Sequence, residues 1–115
     1  MKKYIILFLI FLFFSGCLNS KSSIVGEEFP NVKNGIVVFS AEWCHYCKAL
    51  KPYLEELKAK GYNVIIIDVD KNRDLAEKYN IRGVPTIFYI KDGKVIDYTI
   101  GYNPDELMEK AKLVK

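Results

Sequence analysis

The stretch GIVVFSAEWCHYCKAL, residues 35–50, decides the fold because a strand pattern passes directly into a helix pattern within it. Residues 35–40 form a continuous apolar, β-rich run, which is typical of a strand buried on both faces. From Cys47 to Leu57, apolar residues then recur at intervals of three and four, which predicts a helix that ends at Gly61. A pair of cysteines therefore stands where a buried strand turns into a helix.

The rest of the chain extends this pattern in the order β-α-β-α-β-β-α. The later elements are a strand at 63–70 interpreted as buried, a helix at 73–79, strands at 86–90 and 95–100, and a helix from 103. A strand–helix–strand crossover makes the first two strands a parallel pair, and the Asp-Gly dipeptide between the last two strands indicates a hairpin. We therefore expect an α/β fold with one mixed four-stranded sheet and helices on both faces.

Length and composition permit one domain with its own core. The chain has 115 residues, of which 50% are hydrophobic. Its net charge of +3 comes from interspersed basic and acidic residues, which argues against a nucleic-acid-binding protein.

The N-terminal sequence MKKYIILFLIFLFFSGC predicts export and a membrane tether. Lys2 and Lys3 precede the apolar run 4–14, which is short for a transmembrane helix of about 20 residues. Residues 14–17 resemble the lipobox of bacterial lipoproteins, in which the cysteine, here Cys17, becomes the lipidated N-terminus. An uncleaved signal anchor is the alternative. Both forms leave the domain outside the cytoplasm, because the positive end of the signal stays inside.

These features divide the chain into three segments. Residues 1–16 are a signal peptide or signal anchor, residues 17–34 a tether with a short N-terminal segment, and residues 35–115 the folded domain. Within the second segment, residues 27–30 are expected to pack against the domain.

The two cysteines of the quoted stretch have the spacing of a redox pair. Cys44 precedes the first helical turn, where unpaired N–H groups and the positive end of the dipole favour a thiolate. Cys47 lies one turn further along, close enough to form a disulfide with Cys44. This arrangement suits thiol–disulfide exchange, in which Cys44 attacks and Cys47 resolves the mixed disulfide.

Three other uses of the cysteine pair compete with thiol–disulfide exchange. A zinc site needs about four ligands, and the remaining candidates are only Cys17 and His45. Copper(I) can be bound by two thiolates, so a copper(I) site remains an alternative. A structural disulfide would close so short a loop that it removes little chain entropy.

Three stretches together resemble the thioredoxin family: residues 41–48, Pro52 inside the helix, and residues 81–86. The resemblance runs from about residue 35 to the C-terminus. It implies the thioredoxin-like fold, with the family's N-terminal strand and helix truncated here.

The resemblance also implies a role for each matching residue. Cys44 is the attacking and Cys47 the resolving cysteine, and Trp43 flanks the site and shapes its contact surface. Pro85 follows a cis peptide bond and packs beside the disulfide. The Val84 backbone pairs with an extended substrate segment. Gly101 completes the groove.

The sequence departs from the family around the cysteines. Val38 stands where thioredoxins have a buried aspartate that deprotonates the resolving cysteine, so Glu42, His45 or water must accept that proton. His45 and Tyr46 replace the usual residues between the cysteines and are expected to tune the reduction potential. A protonated His45 at the helix N-terminus would stabilise the Cys44 thiolate and make the disulfide more oxidising.

The sequence therefore predicts a membrane-tethered thiol–disulfide oxidoreductase that acts on protein thiols and disulfides outside the cytoplasm. It needs no cofactor or metal and does not bind nucleic acid. It is expected to be a monomer and to exchange electrons with another protein. A copper(I)-binding or redox-inert adaptor module of the same fold is the alternative.

Overall fold

The computed structural model describes residues 24–115. Within these residues the elements are β1 Gly35–Ser40, α1 His45–Ala59, β2 Val64–Asp68, α2 Arg73–Lys78, β3 Thr86–Lys91, β4 Lys94–Ile100, α3 Pro104–Ala111 and a 3₁₀ turn Lys112–Val114. This is the predicted order β-α-β-α-β-β-α. The signal, lipidation and anchor predictions, including Cys17, fall on residues outside the described part.

The strands form one mixed sheet in the order β2-β1-β3-β4. β1 is parallel to β2 and antiparallel to β3, so the crossover through α1 forms the expected parallel pair. β3 and β4 form the predicted hairpin. At its turn, Asp92 and Gly93 have φ angles of 54° and 77°. Asp-Gly tolerates these left-handed conformations, which two-residue hairpin turns require.

Helices cover both faces of the sheet, as predicted. On one face, α1 and α3 pack leucines such as Leu50 and Leu107 against Ile36 and Tyr89. On the other face, α2 and the N-terminal segment surround an aromatic cluster that consists of Phe29, Phe39, Tyr79 and Phe88. Because α1 is held by its buried leucine stripe, the N-terminal end of this helix has a fixed position at the carboxyl end of β1.

The N-terminal segment packs against the hairpin. The N–H of Gly26 donates to the carbonyl of Val95 over 2.7 Å, and the N–H of Val95 donates to the carbonyl of Glu27 over 2.9 Å. Phe29 is buried in the aromatic cluster. The packing role expected of residues 27–30 is therefore confirmed. The segment lies beside β4, at the opposite edge of the sheet from β2.

The interpretation of residues 63–70 as a fully buried strand is wrong. β2 is an edge strand whose residues are only partly buried, and Ile66 is 42% exposed. Among residues 24–115, no strand pairs with the outer edge of β2. An apolar run does not distinguish a central strand from an edge strand, since that depends on which segments come to lie beside it. No helix within residues 24–115 is long and apolar enough to cross a bilayer.

Candidate active site

Cys44 occupies the N-cap position of α1, between β1 and the first helical turn. Its backbone is extended, with φ −83° and ψ 109°, and its sulfur accepts a hydrogen bond from the N–H of Cys47 over 3.1 Å. Hydroxyl and carboxylate oxygens usually satisfy this helix N–H. The sulfur of Cys44 takes their place, so the free N–H groups of α1 point toward the reacting atom.

Cys44 and Cys47 form a disulfide, with their Cα atoms 5.2 Å apart. Both residues are 6% exposed, so exposure does not distinguish them. Their positions do: Cys44 precedes the helix, whereas Cys47 lies inside its first turn and on its buried face.

The loop before β3 lies against the disulfide. The Val84–Pro85 bond is cis, as the resemblance implied. The sulfur of Cys44 lies 3.7 Å from the carbonyl oxygen of Val84. This loop is fixed at two points: Thr86 Oγ1 donates to the carbonyl of Gly83 over 2.6 Å, and the N–H of Gly101 donates to the carbonyl of Pro85 over 2.8 Å.

Gly101 lies directly beside the site. Its φ angle of +92° is in the left-handed region, which favours glycine. This conformation lets β4 end with an N–H directed at the carbonyl of Pro85. The role of Gly101 in completing the groove stays a prediction.

Trp43 forms one side of the site. Its side chain is 70% exposed, and its Nε1–H donates to Asp70 Oδ2 over 2.8 Å. Asp68 Oδ1 in turn accepts the backbone N–H of Asp70 over 2.8 Å. Trp43, Val84 and Ile81 line a shallow cavity of about 130 Å³. Sequence reasoning missed Asp70, although its position just after β2 placed it at the same edge of the sheet as the cysteines.

His45 and Tyr46 project from the first turn of α1 into solvent. The ring centroids of the two side chains are 6.1 Å apart, and that of Tyr46 is 5.8 Å from that of Tyr102. Tyr46 is 61% exposed. Sequence reasoning gave Tyr102 no role, and the only signal for it was its place directly after Gly101.

A second cavity of about 410 Å³ adjoins Cys47 and shares no lining residue with the cavity beside Trp43. Val38 and Ile66 form an apolar part of the cavity wall, and the acidic residues Glu42 and Asp68 also line the cavity. The Glu42 side chain is mostly exposed, with its carboxylate 3.6 Å from Lys71 Nζ. The three predicted tuning residues, Glu42, His45 and Tyr46, are all solvent-exposed.

Three residues with shifted pKa values belong to a polar network between α3 and the β3–β4 hairpin. Burial raises the pKa of Tyr89 to about 12, and its hydroxyl pairs with Thr99 over 2.9 Å. Glu106 Oε1 accepts from Thr99 and lies 2.6 Å from Lys110 Nζ. The hydrogen bond from Lys110 lowers the pKa of Glu106, and the same bond raises the pKa of Lys110. This network attaches α3 to the sheet.

The family model described as Thioredoxin matches residues 22–113. The chain belongs to the thioredoxin family. It is 37% identical over 81 residues to thioredoxin from Bacillus subtilis, which covers 66% of this chain and 78% of that one. It is 39% identical over 83 residues to thioredoxin from Mycoplasmoides gallisepticum, with 70% and 83% covered. The solved structure of Fasciola hepatica thioredoxin superposes with a TM-score of 0.67 at 34% identity, covering 72% of this chain and 82% of that one.

This thioredoxin-family protein is a thiol–disulfide oxidoreductase, and its Cys44–Cys47 pair forms the disulfide that such chemistry uses. Its substrates as a thioredoxin are protein disulfides. Within residues 24–115, no three His, Cys, Asp or Glu side chains are grouped as a metal site. Near the disulfide, Val38 is apolar and buried, and His45 and Tyr46 are exposed.

Proposed function

We propose that this protein exchanges disulfides with partner proteins outside the cytoplasm, with Cys44 as attacking and Cys47 as resolving cysteine. The position of Cys44 supports this proposal most directly. Its sulfur lies at the N-terminal end of α1 and 3.7 Å from the Val84 carbonyl. The helix N-terminus stabilises the negative charge of a thiolate, and the exposed loop at Val84 offers backbone groups to an extended partner segment.

The reaction proceeds in two exchanges. The Cys44 thiolate attacks one sulfur of a partner disulfide, the partner's S–S bond breaks, and one partner thiolate leaves and takes up a proton. The mixed disulfide between Cys44 and the partner then meets Cys47. Cys47 gives up its proton and attacks the sulfur of Cys44, forming the Cys44–Cys47 disulfide and releasing the second partner thiolate. Two electrons pass to the partner, and the reverse sequence oxidises a partner dithiol.

The cavity that adjoins Cys47 supports a role for water in the second exchange. Val38 supplies no carboxylate there, whereas Glu42 and Asp68 line the same cavity. A cavity of about 410 Å³ is large enough for several water molecules, each of which occupies about 30 Å³ in the liquid. We propose that water relays the Cys47 proton to these carboxylates.

The outer location and the tether are proposed from residues 1–17. The charged start, the apolar run and Cys17 support export followed by lipidation, which would hold a monomeric domain close to the membrane surface. A redox partner that supplies or accepts electrons would then also act on that side.

Two experiments test the proposal. The reduced protein should turn over in insulin reduction, and Cys44→Ser should abolish the turnover, while Glu77→Gln, on the exposed face of α2, should retain it. Turnover without Cys44 would contradict its assignment. Mass spectrometry of the protein purified from membranes should show lipid on Cys17, and Cys17→Ala should release the domain. A cytoplasmic, unlipidated wild type would contradict the proposed location.

A further inference from the structure

The exposed aromatic side chains of residues 24–115 are concentrated at the disulfide. Of the large apolar residues exposed to solvent, the aromatic ones are Trp43, Tyr46 and Tyr102. Each adjoins the active site: Trp43 precedes Cys44, Tyr46 lies between the cysteines, and Tyr102 follows Gly101. Scattered exposed apolar residues are ordinary, but an exposed cluster marks an interaction surface.

Tyr46 and Tyr102 form a pair across two separate elements. Their ring centroids are 5.8 Å apart with planes inclined by 35°. Tyr46 belongs to the first turn of α1, and Tyr102 lies in the β4–α3 loop. The hydrogen bond from Gly101 to Pro85 holds the β4–α3 loop against the loop before β3. The pair therefore has a defined position relative to the Cys44 sulfur.

The tyrosine pair and Trp43 lie on different sides of the site. Trp43 is bound to Asp70, which follows β2, whereas Tyr102 follows β4. β2 and β4 are the two outer strands of the sheet. A partner segment at Val84 would therefore run between an indole and a pair of phenol rings.

The Tyr102 phenol is uncharged near neutral pH. Burial and then the neighbouring Tyr53 side chain raise the pKa of Tyr102 above 10. Tyr46 remains 61% exposed and Tyr102 40% exposed despite their mutual contact. More than half of Tyr46 and a smaller part of Tyr102 are thus available to a ligand. Tyrosine also provides a large apolar contact at a small cost in side-chain entropy.

We propose that Tyr46 and Tyr102 form a specificity-determining subsite for a large apolar or aromatic side chain near the reactive cysteine of a partner protein. We assign a partner side chain to this subsite because the rings adjoin the place at Val84 where the partner segment is proposed to bind. In an extended segment paired with Val84, residues two apart face the same side and are about 6.6 Å apart. We therefore expect a side chain within two residues of the partner's cysteine to contact the rings when that cysteine is bonded to Cys44. This inference rests on the proposed function.

The test compares two disulfide-linked peptide substrates. The two peptides differ only at the positions within two residues of the cysteine. These positions are phenylalanine in one peptide and serine in the other. We expect wild-type kcat/KM to favour the phenylalanine peptide by about fivefold, in keeping with an aromatic contact. Tyr102→Ala should reduce this ratio to near one, and Tyr102→Phe should keep it. Ile96→Ala, which truncates another exposed apolar residue of the hairpin, should also keep the ratio.

Each other outcome counts against the subsite. Equal kcat/KM for the two peptides with wild-type protein would overturn it and leave the oxidoreductase function standing. Turnover of neither peptide would overturn both. A Tyr102→Ala variant that keeps the wild-type ratio would also overturn it. The same holds for a concentration-dependent dimer that Tyr102→Ala dissociates, because the rings would then serve a second copy of the chain.

Discussion

The sulfur of Cys44 lies 3.7 Å from the carbonyl oxygen of Val84, although the two residues are 40 positions apart in the chain. This contact joins the N-terminus of α1 to the loop before β3. It brings the nucleophile beside backbone groups that can hold a partner segment in an extended conformation. The sheet order β2-β1-β3-β4 makes this contact possible, because β1 and β3 are direct neighbours. The helix α1 follows β1 and the Val84 loop precedes β3, so both lie at the same end of the sheet.

Replacing the resolving cysteine should trap the partner. In Cys47→Ser, the mixed disulfide on Cys44 has no internal thiol to release it, so we expect turnover to fall by at least about 100-fold and partner proteins to accumulate as covalent adducts. Non-reducing gels followed by mass spectrometry would detect them. The double variant Cys44→Ser/Cys47→Ser is the control and should form none. Adducts of equal abundance on Cys44→Ser would contradict the assignment of distinct attacking and resolving roles.

His45 should make the disulfide more oxidising. A protonated imidazole at the N-terminus of α1 favours the Cys44 thiolate and therefore the reduced state. An exposed ion pair contributes about 0.2–1 kcal/mol, so His45→Gly should lower the reduction potential by about 4–20 mV. Equilibration with glutathione measures the potential. His45→Gln should give the same decrease if charge is the cause. An unchanged potential in both variants would exclude this role for His45.

Asp70 should hold Trp43 in place for partner binding. Asp70→Ala removes the acceptor of the indole N–H, which lies 2.8 Å away. The freed side chain should lose its fixed position, and we expect KM for a protein disulfide to rise about threefold, since one hydrogen bond contributes about 1 kcal/mol. Trp43 is the only tryptophan, so its fluorescence reports the change directly. Asp74→Ala, on exposed α2, should alter neither quantity. Unchanged fluorescence in Asp70→Ala would contradict the prediction.

The network at Glu106 should make stability depend on pH. Hydrogen bonding from Lys110 lowers the pKa of Glu106 below its ordinary value of 4.5. The folded state therefore binds this proton less readily than the unfolded state. Its stabilisation is complete above pH 4.5 and is lost as pH falls through the lower folded pKa.

Glu106→Gln should remove this part of the acid sensitivity. Because the side chain is about one-third exposed and screened by solvent, we expect a loss of about 0.5 kcal/mol in unfolding free energy at pH 7. The difference from wild type should shrink toward pH 3. Urea titrations at both pH values measure it, with Glu109→Gln on the same helix as control. A difference that grows toward low pH would have the wrong sign.

Patterns within a few residues of each other predicted most of the fold. The apolar run of β1, the leucine stripe of α1 and the Asp-Gly turn at Asp92 each depend on local periodicity or local backbone preference, so they could be recognised without knowledge of distant segments. The prediction that β2 is fully buried was wrong, because an edge strand and a central strand share the same local pattern.

The cysteine pair, its place at the start of a helix and the family resemblance were therefore determined by the sequence itself. The surroundings of the pair were decided by the tertiary structure. The hydrogen bond from Trp43 to Asp70 and the tilted ring contact between Tyr46 and Tyr102 join segments that are far apart in the chain. Such contacts depend on how the sheet aligns its strands and where each strand ends. Local sequence patterns carry no information about these distances.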